Sequence, residues 1–248
     1  MIKIIDLHKS FGAQEVLRGV NLEIPKGKIT FIMGQSGQGK SVLLKHIIGL
    51  IRPDSGQILV DGLDITGLSL KELYRVRKRF GMLFQDAALF DSMTVAENVA
   101  FPLREHTRLS ETEIAKKVEE KLALVGLLEA ADKLPSELSG GMRKRAGLAR
   151  ALALDPEIIL FDEPTTGLDP IMTASINRLI KESQQRHQLT CVVISHDIPS
   201  ALTIADKIAM LHQGVIIEEG DPESIKSSSH PFVRRFFEGV AEEEGGIS

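Results

Sequence analysis

The sequence predicts an α/β fold with a mainly parallel central sheet, and three observations carry that prediction. Short, nearly unbroken apolar runs recur along the chain, at Ile29 to Met33, Phe80 to Phe84, Ile158 to Phe161 and Cys191 to Ser195. Runs that are apolar at every position, instead of alternating, belong to strands buried on both faces. Longer amphipathic segments separate them and supply the crossover helices that parallel strands require. The 248 residues, 43% hydrophobic and 26% charged, hold enough apolar material for one large domain or two small ones.

Taken in chain order, the segments Ile2 to Ile24 and Gln57 to Val60 read as a small antiparallel layer, with turn signals at Gly12 and Asp61-Gly62. The strand Ile29 to Met33 leads into a glycine-rich loop and then a helical run from Val42 to Ile51. The basic run Arg75, Arg77, Lys78 and Arg79 reads as a solvated helix face. Between about residues 86 and 156 the strand signal disappears. Ser110 with Glu113 makes a capping box there, and Ile114, Val118, Leu122 and Val125 follow at helical spacing. A further helix is expected from Met142 to Leu154, after which strands resume. The return to strands makes the helical stretch an insertion in a single domain, 1–248: core about 1–85 and 157–228, helical subdomain about 86–156, C-terminal helix and tail 229–248. The tail Glu242-Glu243-Glu244-Gly245-Gly246 is expected to be frayed and solvated.

Composition excludes several functions. A net charge of -4 and a pI near 6.0 argue against nucleic-acid partners. Cys191 is the one cysteine, so no intrachain disulfide forms, and its apolar strand suits burial in a reducing compartment. There is no apolar run long enough to span a bilayer, and MIKIIDLHKS lacks the order of a signal peptide. Membrane association is therefore expected only through a partner.

The chemistry concentrates at strand ends. Gly34-Gln35-Ser36-Gly37-Gln38-Gly39-Lys40-Ser41 fits G-x-x-x-x-G-K-[ST] between a strand and a helix, the context that motif requires. The glycines let successive N–H groups point inward, and the helix N-terminus adds partial positive charge toward a β-phosphate. Lys40 is expected to reach the β- and γ-phosphates, and the Ser41 hydroxyl to ligate Mg²⁺. The strand Ile158 to Phe161 ends in Asp162-Glu163, placing two acids at the carboxyl edge of the sheet. Adjacent acids there point different ways, so Asp162 can hold the Mg²⁺ shell while Glu163 orients or deprotonates a water. The strand Cys191 to Ser195 ends in Ser195-His196-Asp197, where His196 can donate to the γ-phosphate. Finally, Ser139-Gly140-Gly141 opens a helix, a second anion-binding terminus for which the phosphate loop has no use.

These residues, with Leu138-Ser139-Gly140-Gly141-Met142 ahead of Asp162, resemble the ATP-binding cassette (ABC) family of P-loop NTPases over almost the whole chain. The resemblance implies an ATPase with a RecA-like core and helical subdomain, and a phosphate loop from Gly34 to Val42. It implies that Phe11 stacks on adenine and that Gln85 is the Q-loop glutamine, acting in catalysis and joining Ser41 and Asp162 on Mg²⁺. Gly167-Leu168-Asp169 resembles the D-loop and His196 the switch histidine. Two copies are then expected to pair head to tail, Ser139, Gly140 and Gly141 of each closing over the γ-phosphate held by the other. Met142 departs from the usual glutamine, which puts a polar contact across that dimer in doubt.

Gly39-Lys40-Ser41-Val42-Leu43-Leu44, the LSGGM signature and Pro102-Leu103-Arg104-Glu105-His106-Thr107 are similar to the ATPase of Mla-type phospholipid transport systems. That similarity implies work at the cytoplasmic face of the inner membrane, an integral-membrane permease, an MCE-domain protein outside the cytoplasm and often a small STAS-domain protein. The competing readings are an ABC ATPase for amino acids, metals or lipoproteins, a cassette in DNA repair or on ribosomes, and a regulatory module without turnover. The last is disfavoured by Glu163 and His196, the second by the acidic balance and by the lack of a second cassette or long coiled-coil insertion.

Overall fold

The computed structural model describes residues 1–239, so the tail Glu242 to Gly246 lies outside the described residues. The chain opens with the hairpin β1 (Ile2–Phe11) and β2 (Gln14–Ile24), then β3 (Ile29–Met33) and α1 (Lys40–Ile47). There follow β4 (Ser55–Val60), β5 (Leu63–Asp64), α2 (Leu70–Arg77) and β6 (Phe80–Leu83). Helices occupy the next stretch: α3 (Val95–His106), α4 (Glu111–Leu124) and α5 (Gly140–Leu152). The chain continues with β7 (Ile158–Asp162), α6 (Pro170–His187), β8 (Thr190–Ser195), α7 (Ile198–Ile204), β9 (Lys207–His212) and β10 (Val215–Gly220). It closes with α8 (Pro222–Lys226) and α9 (Pro231–Glu238).

The fold is α/β. One sheet is antiparallel, in the order β2-β1-β4-β5; the other runs β10-β9-β3-β8-β7-β6 and is parallel except at the β10 edge. The apolar runs of the parallel strands divide by alternate residues. Ile29, Phe31, Met33, Ile159, Phe161, Cys191 and Val193 face α3 to α9. Ile32, Ile158, Leu160, Val192 and Ile194 face α1 and the antiparallel sheet, from which Leu7, Leu17, Val20 and Ile58 project inward. Burial on both faces is why these strands carry no polar alternation. It also leaves the Cys191 thiol fully buried and pushed up to about 12.

The helices begin where the capping chemistry directs. Ser110 and Glu113 cap each other's backbone at α4, and Ile114, Val118, Leu122 and Val125 are buried. Two helices differ from expectation in their bounds. α1 stops at Ile47, because Gly49 takes φ 69° and the N–H groups of Gly49 and Leu50 turn back to His46 and Lys45. α5 runs from Gly140 to Leu152, not from Met142 to Leu154, because Ser139 caps it earlier.

The basic run is not one solvated face. The Arg77 guanidinium donates to the carbonyls of Ile48 and Gly49, at 3.2 and 2.6 Å, and so satisfies the end of α1. Arg79 lies beyond α2 and grips Glu157 with a two-pronged bond, at 3.0 and 2.8 Å, while also pairing with Asp61.

Candidate active site

The loop between β3 and α1 has the shape its glycines predict. A side chain at Gly34 would meet the Leu211 carbonyl oxygen at 2.2 Å, and Gly39, with φ 93°, would meet Val16 at 2.9 Å. Gly39 is the N-cap of α1 and contributes no side-chain bond, and the first turn holds no acid. That helix end therefore offers N–H groups and positive dipole to an anion. Gln38 anchors the loop by accepting from the Gln213 N–H at 2.6 Å. The Lys40 ammonium folds over the loop, donating to the carbonyls of Gly34 at 2.7 Å and Gln35 at 2.9 Å. Burial lowers its pKa, and the nearby charges of Glu163 and Asp162 oppose that shift.

The Ser41 hydroxyl donates to Asp162 Oδ1 at 3.4 Å. Burial raises the Asp162 pKa, the Ser41 bond works against this, and the Glu163 charge adds to it. Glu163 itself has φ 48°, a left-handed backbone rare for a residue with a Cβ, and this turn separates two consecutive acids. Its N–H donates to the Ile194 carbonyl at 2.9 Å, tying β7 to β8. Its carboxylate accepts from Thr166 Oγ1 at 3.0 Å and Ser195 Oγ at 3.4 Å, and lies 3.1 Å from His196 Nδ1.

The loop carrying His196 is bolted on both sides. Asp197 Oδ2 accepts from Thr165 Oγ1 at 2.9 Å and from Ser200 Oγ at 2.5 Å, while Asp197 Oδ1 accepts from the Ser200 N–H at 3.1 Å. The Ser200 hydroxyl accepts in turn from buried Asn177 of α6 at 2.7 Å. Thr165, Thr166, Ser195 and Asp197 carry no recognisable spacing. Their part is visible only once β7 and β8 lie side by side.

Several expected residues stand apart from this cluster. Phe11 is exposed at the end of β1, with Lys9 Nζ 5.5 Å from its ring centre, on the hairpin whose Val16 touches Gly39. Gln85 follows β6; its amide makes no hydrogen bond among the described residues, whereas its backbone carbonyl accepts from Lys144. Ser139 and Gly140 are exposed at the start of α5. The Ser139 hydroxyl accepts from the Met142 N–H at 3.3 Å. The Met142 side chain is half-buried against the helical core. Asp169 Oδ1 caps α6, accepting from the N–H groups of Ile171 and Met172 at 2.9 Å each. Among the described residues no hydrogen bond joins Ser139 to Met142 with the loop Gly34 to Ser41 of the same chain.

The ABC transporter family profile matches residues 17–166, from β2 to just beyond Glu163. The MlaF ATP-binding protein of the intermembrane phospholipid transport system of Escherichia coli K12 is 46% identical over 242 residues, 98% of this chain and 90% of that protein. Its counterpart in Haemophilus influenzae is 48% identical, over 98% and 92% of the two chains. The probable ribonucleotide transport ATP-binding protein mkl of Mycobacterium tuberculosis is 50% identical over 238 residues, 96% of this chain but 66% of its own length. The chain thus spans about two thirds of the mycobacterial relatives. Among solved structures, a dimeric post-hydrolysis ATP-binding cassette bound to ADP and Pi is 35% identical with a TM-score of 0.83, covering 90% of this chain and 99% of that one.

Proposed function

We propose, starting from the fact that this chain belongs to the ABC transporter family, that it hydrolyses ATP as half of a two-site dimer and so drives phospholipid transport across a bacterial envelope. The observation that carries the chemistry is the convergence of Lys40, Ser41, Asp162 and Glu163 at neighbouring strand ends. Helical subdomain 86–156 and core 1–85 with 157–228 are the working division of this reading.

Ser41 Oγ and Asp162 Oδ1 are hard oxygen donors 3.4 Å apart, a pair that suits Mg²⁺, which takes few protein ligands and keeps phosphate and water oxygens. Gln85 is the proposed third protein ligand and also acts in catalysis. When bound, the cation neutralises charge on the β- and γ-phosphates. The loop Gly34 to Val42 cradles those phosphates with backbone N–H groups, and Lys40 exchanges the Gly34 and Gln35 carbonyls for phosphate oxygens. Phe11 stacks on the adenine. Glu163 orients the attacking water and accepts its proton, and His196 donates to the γ-phosphate. Ser139, Gly140 and Gly141 of a second copy close over the same γ-phosphate, beside Asp169. Loss of the γ-phosphate then releases the pair.

Glu163→Gln is expected to bind ATP, to run as a dimer with ATP by light scattering, and to lose turnover about 10²–10⁴-fold. Turnover at the wild-type rate removes Glu163 from the chemistry. Lys40→Ala is expected to weaken ATP binding measured by calorimetry, and unchanged affinity would contradict the loop assignment.

The cargo reading rests on the MlaF relatives, which this chain matches over 90% and 92% of their length, against 66% for the mycobacterial proteins. No helix among the described residues is long and apolar enough to cross a membrane, so the proposed seat at the cytoplasmic face of the inner membrane needs a permease. A groove of about 500 Å³ suits that contact; Phe84 and Ala88, on either side of Gln85 in the sequence, line it with Phe90, Phe101 and Arg150. Phe90 leans on Phe101 with ring centres 4.8 Å apart, and Leu89 packs inward. Recovery of the full chain from its native membrane with a multi-span permease and an MCE-domain protein is the expected result. Recovery with nucleic acid would sink the transport reading.

A further inference from the structure

Lys144 stands one turn into α5 and takes no part in the chemistry proposed for Lys40, Ser41, Asp162 and Glu163. Its residue is only 6% exposed, and its ammonium donates to two backbone carbonyls, those of Gln85 and, at 3.1 Å, Glu163. None of the ion pairs among the described residues includes it. Burial lowers its pKa, and the fields of Asp86, Asp162 and Glu163 favour its charge. A buried cation without a carboxylate partner is an expensive way to hold a helix in place, since an apolar chain of similar length fills the same space without desolvation.

The two carbonyls explain the expense. One belongs to Gln85, in the segment that leads from β6 to α3. The other belongs to Glu163, whose φ of 48° must be held by its surroundings. The same helix presents Ser139 and Gly140 at its exposed end.

We propose that Lys144 is a positioning residue that fixes the backbones of Glu163 and Gln85 to α5, so that the seating of that helix sets the placement of the hydrolytic carboxylate. A phosphate that draws on the N-terminus of α5 thereby acts, through one side chain, on Glu163. The proposal rests on the reading that Glu163 activates water, and it accounts for a lysine where packing alone favours methionine.

The test compares the full chain with Lys144→Met and Lys144→Arg, alone and in the assembled transporter, for kcat, KM for ATP, ATP affinity and melting temperature. For Lys144→Met a melting temperature at or above wild type is expected, with ATP affinity and KM within about twofold and kcat lower by about tenfold or more, the scale on which small misplacement acts. Lys144→Arg keeps charge and a fork of donors and is expected to recover most of kcat. Wild-type kcat in Lys144→Met overturns the proposal. So does a fall in kcat that merely follows lost ATP binding or lost folding. If Lys144→Met does not fold, Lys144→Gln is judged by the same criteria. A wild-type chain that fails to turn over more ATP than Glu163→Gln overturns the hydrolytic reading itself, and this assignment with it.

Discussion

Asp162 and Glu163 are neighbours in sequence with different surroundings. Glu163 has its carboxylate oxygens served by Thr166, Ser195 and His196, whereas Asp162 has one long bond from Ser41. Burial is the largest influence on Asp162 and raises its pKa above the ordinary 3.8. A carboxyl group whose folded pKa is raised stabilises the fold fully below pH 3.8, and that contribution is lost as pH rises through the folded value. At neutral pH the ionised group is therefore a burden on the nucleotide-free chain. Asp162→Asn is expected to melt higher than wild type at pH 7, by about 1–3 °C, while losing the proposed ATPase activity. The gap should close below pH 3.8, where both side chains are neutral. A lower melting temperature for Asp162→Asn at pH 7 would show that the Ser41 bond outweighs burial.

At the scale of elements, local chemistry was readable and tertiary chemistry was not. The phosphate loop, the acids closing β7 and the box that starts α4 are contiguous signals, each with its cause within a few residues. The stop of α1 at Ile47 has a local cause as well, in Gly49, whereas the dispersal of the basic run depends on what Arg77 and Arg79 meet across the fold. Asn98 belongs to the second kind. Fully buried in α3, it accepts from the Phe90 N–H at 2.8 Å and donates to the carbonyls of Phe90, Met93 and Thr94 at 3.0–3.1 Å. One side chain thus shapes the segment that leads from Gln85 to α3. Asn98→Ala leaves the Phe90 N–H and the Met93 carbonyl without a partner, while the Phe90 and Thr94 carbonyls keep the backbone N–H groups of Met93 and of residue 98, and is expected to cost about 2–4 kcal/mol in urea unfolding. Hydrogen exchange should quicken at Phe90 well before it does in β3. A cost below about 1 kcal/mol would mean that water enters and replaces the amide.

Across the whole molecule, the antiparallel sheet must stay registered on the parallel one, because Val16 of the first closes over Gly39 of the second. Arg79 is a polar tie between them. It joins Asp61, in the β4–β5 turn, to Glu157, just ahead of β7, and its backbone carbonyl accepts from the N–H groups of Glu157 and Ile158 at 3.0 and 3.1 Å. The Met1 ammonium, 2.6 Å from Asp61, and then Arg79 lower the Asp61 pKa from 3.8 to about 2. A depressed pKa has the opposite sign to that of Asp162. Its stabilisation is present above pH 3.8 and is lost as pH falls toward about 2. The group is partly exposed, so solvent screening limits the effect to about 1 kcal/mol, or roughly 2–4 °C. Wild type should therefore melt above Asp61→Asn at a constant margin from pH 7 down to about 4, and the two curves should converge by about pH 2. Acetylating the Met1 amine removes the larger cause and should shift that convergence to higher pH. If the margin instead persists below pH 2, Asp61 acts through packing at the turn and not through its charge, and the register of the two sheets rests on their apolar interface alone.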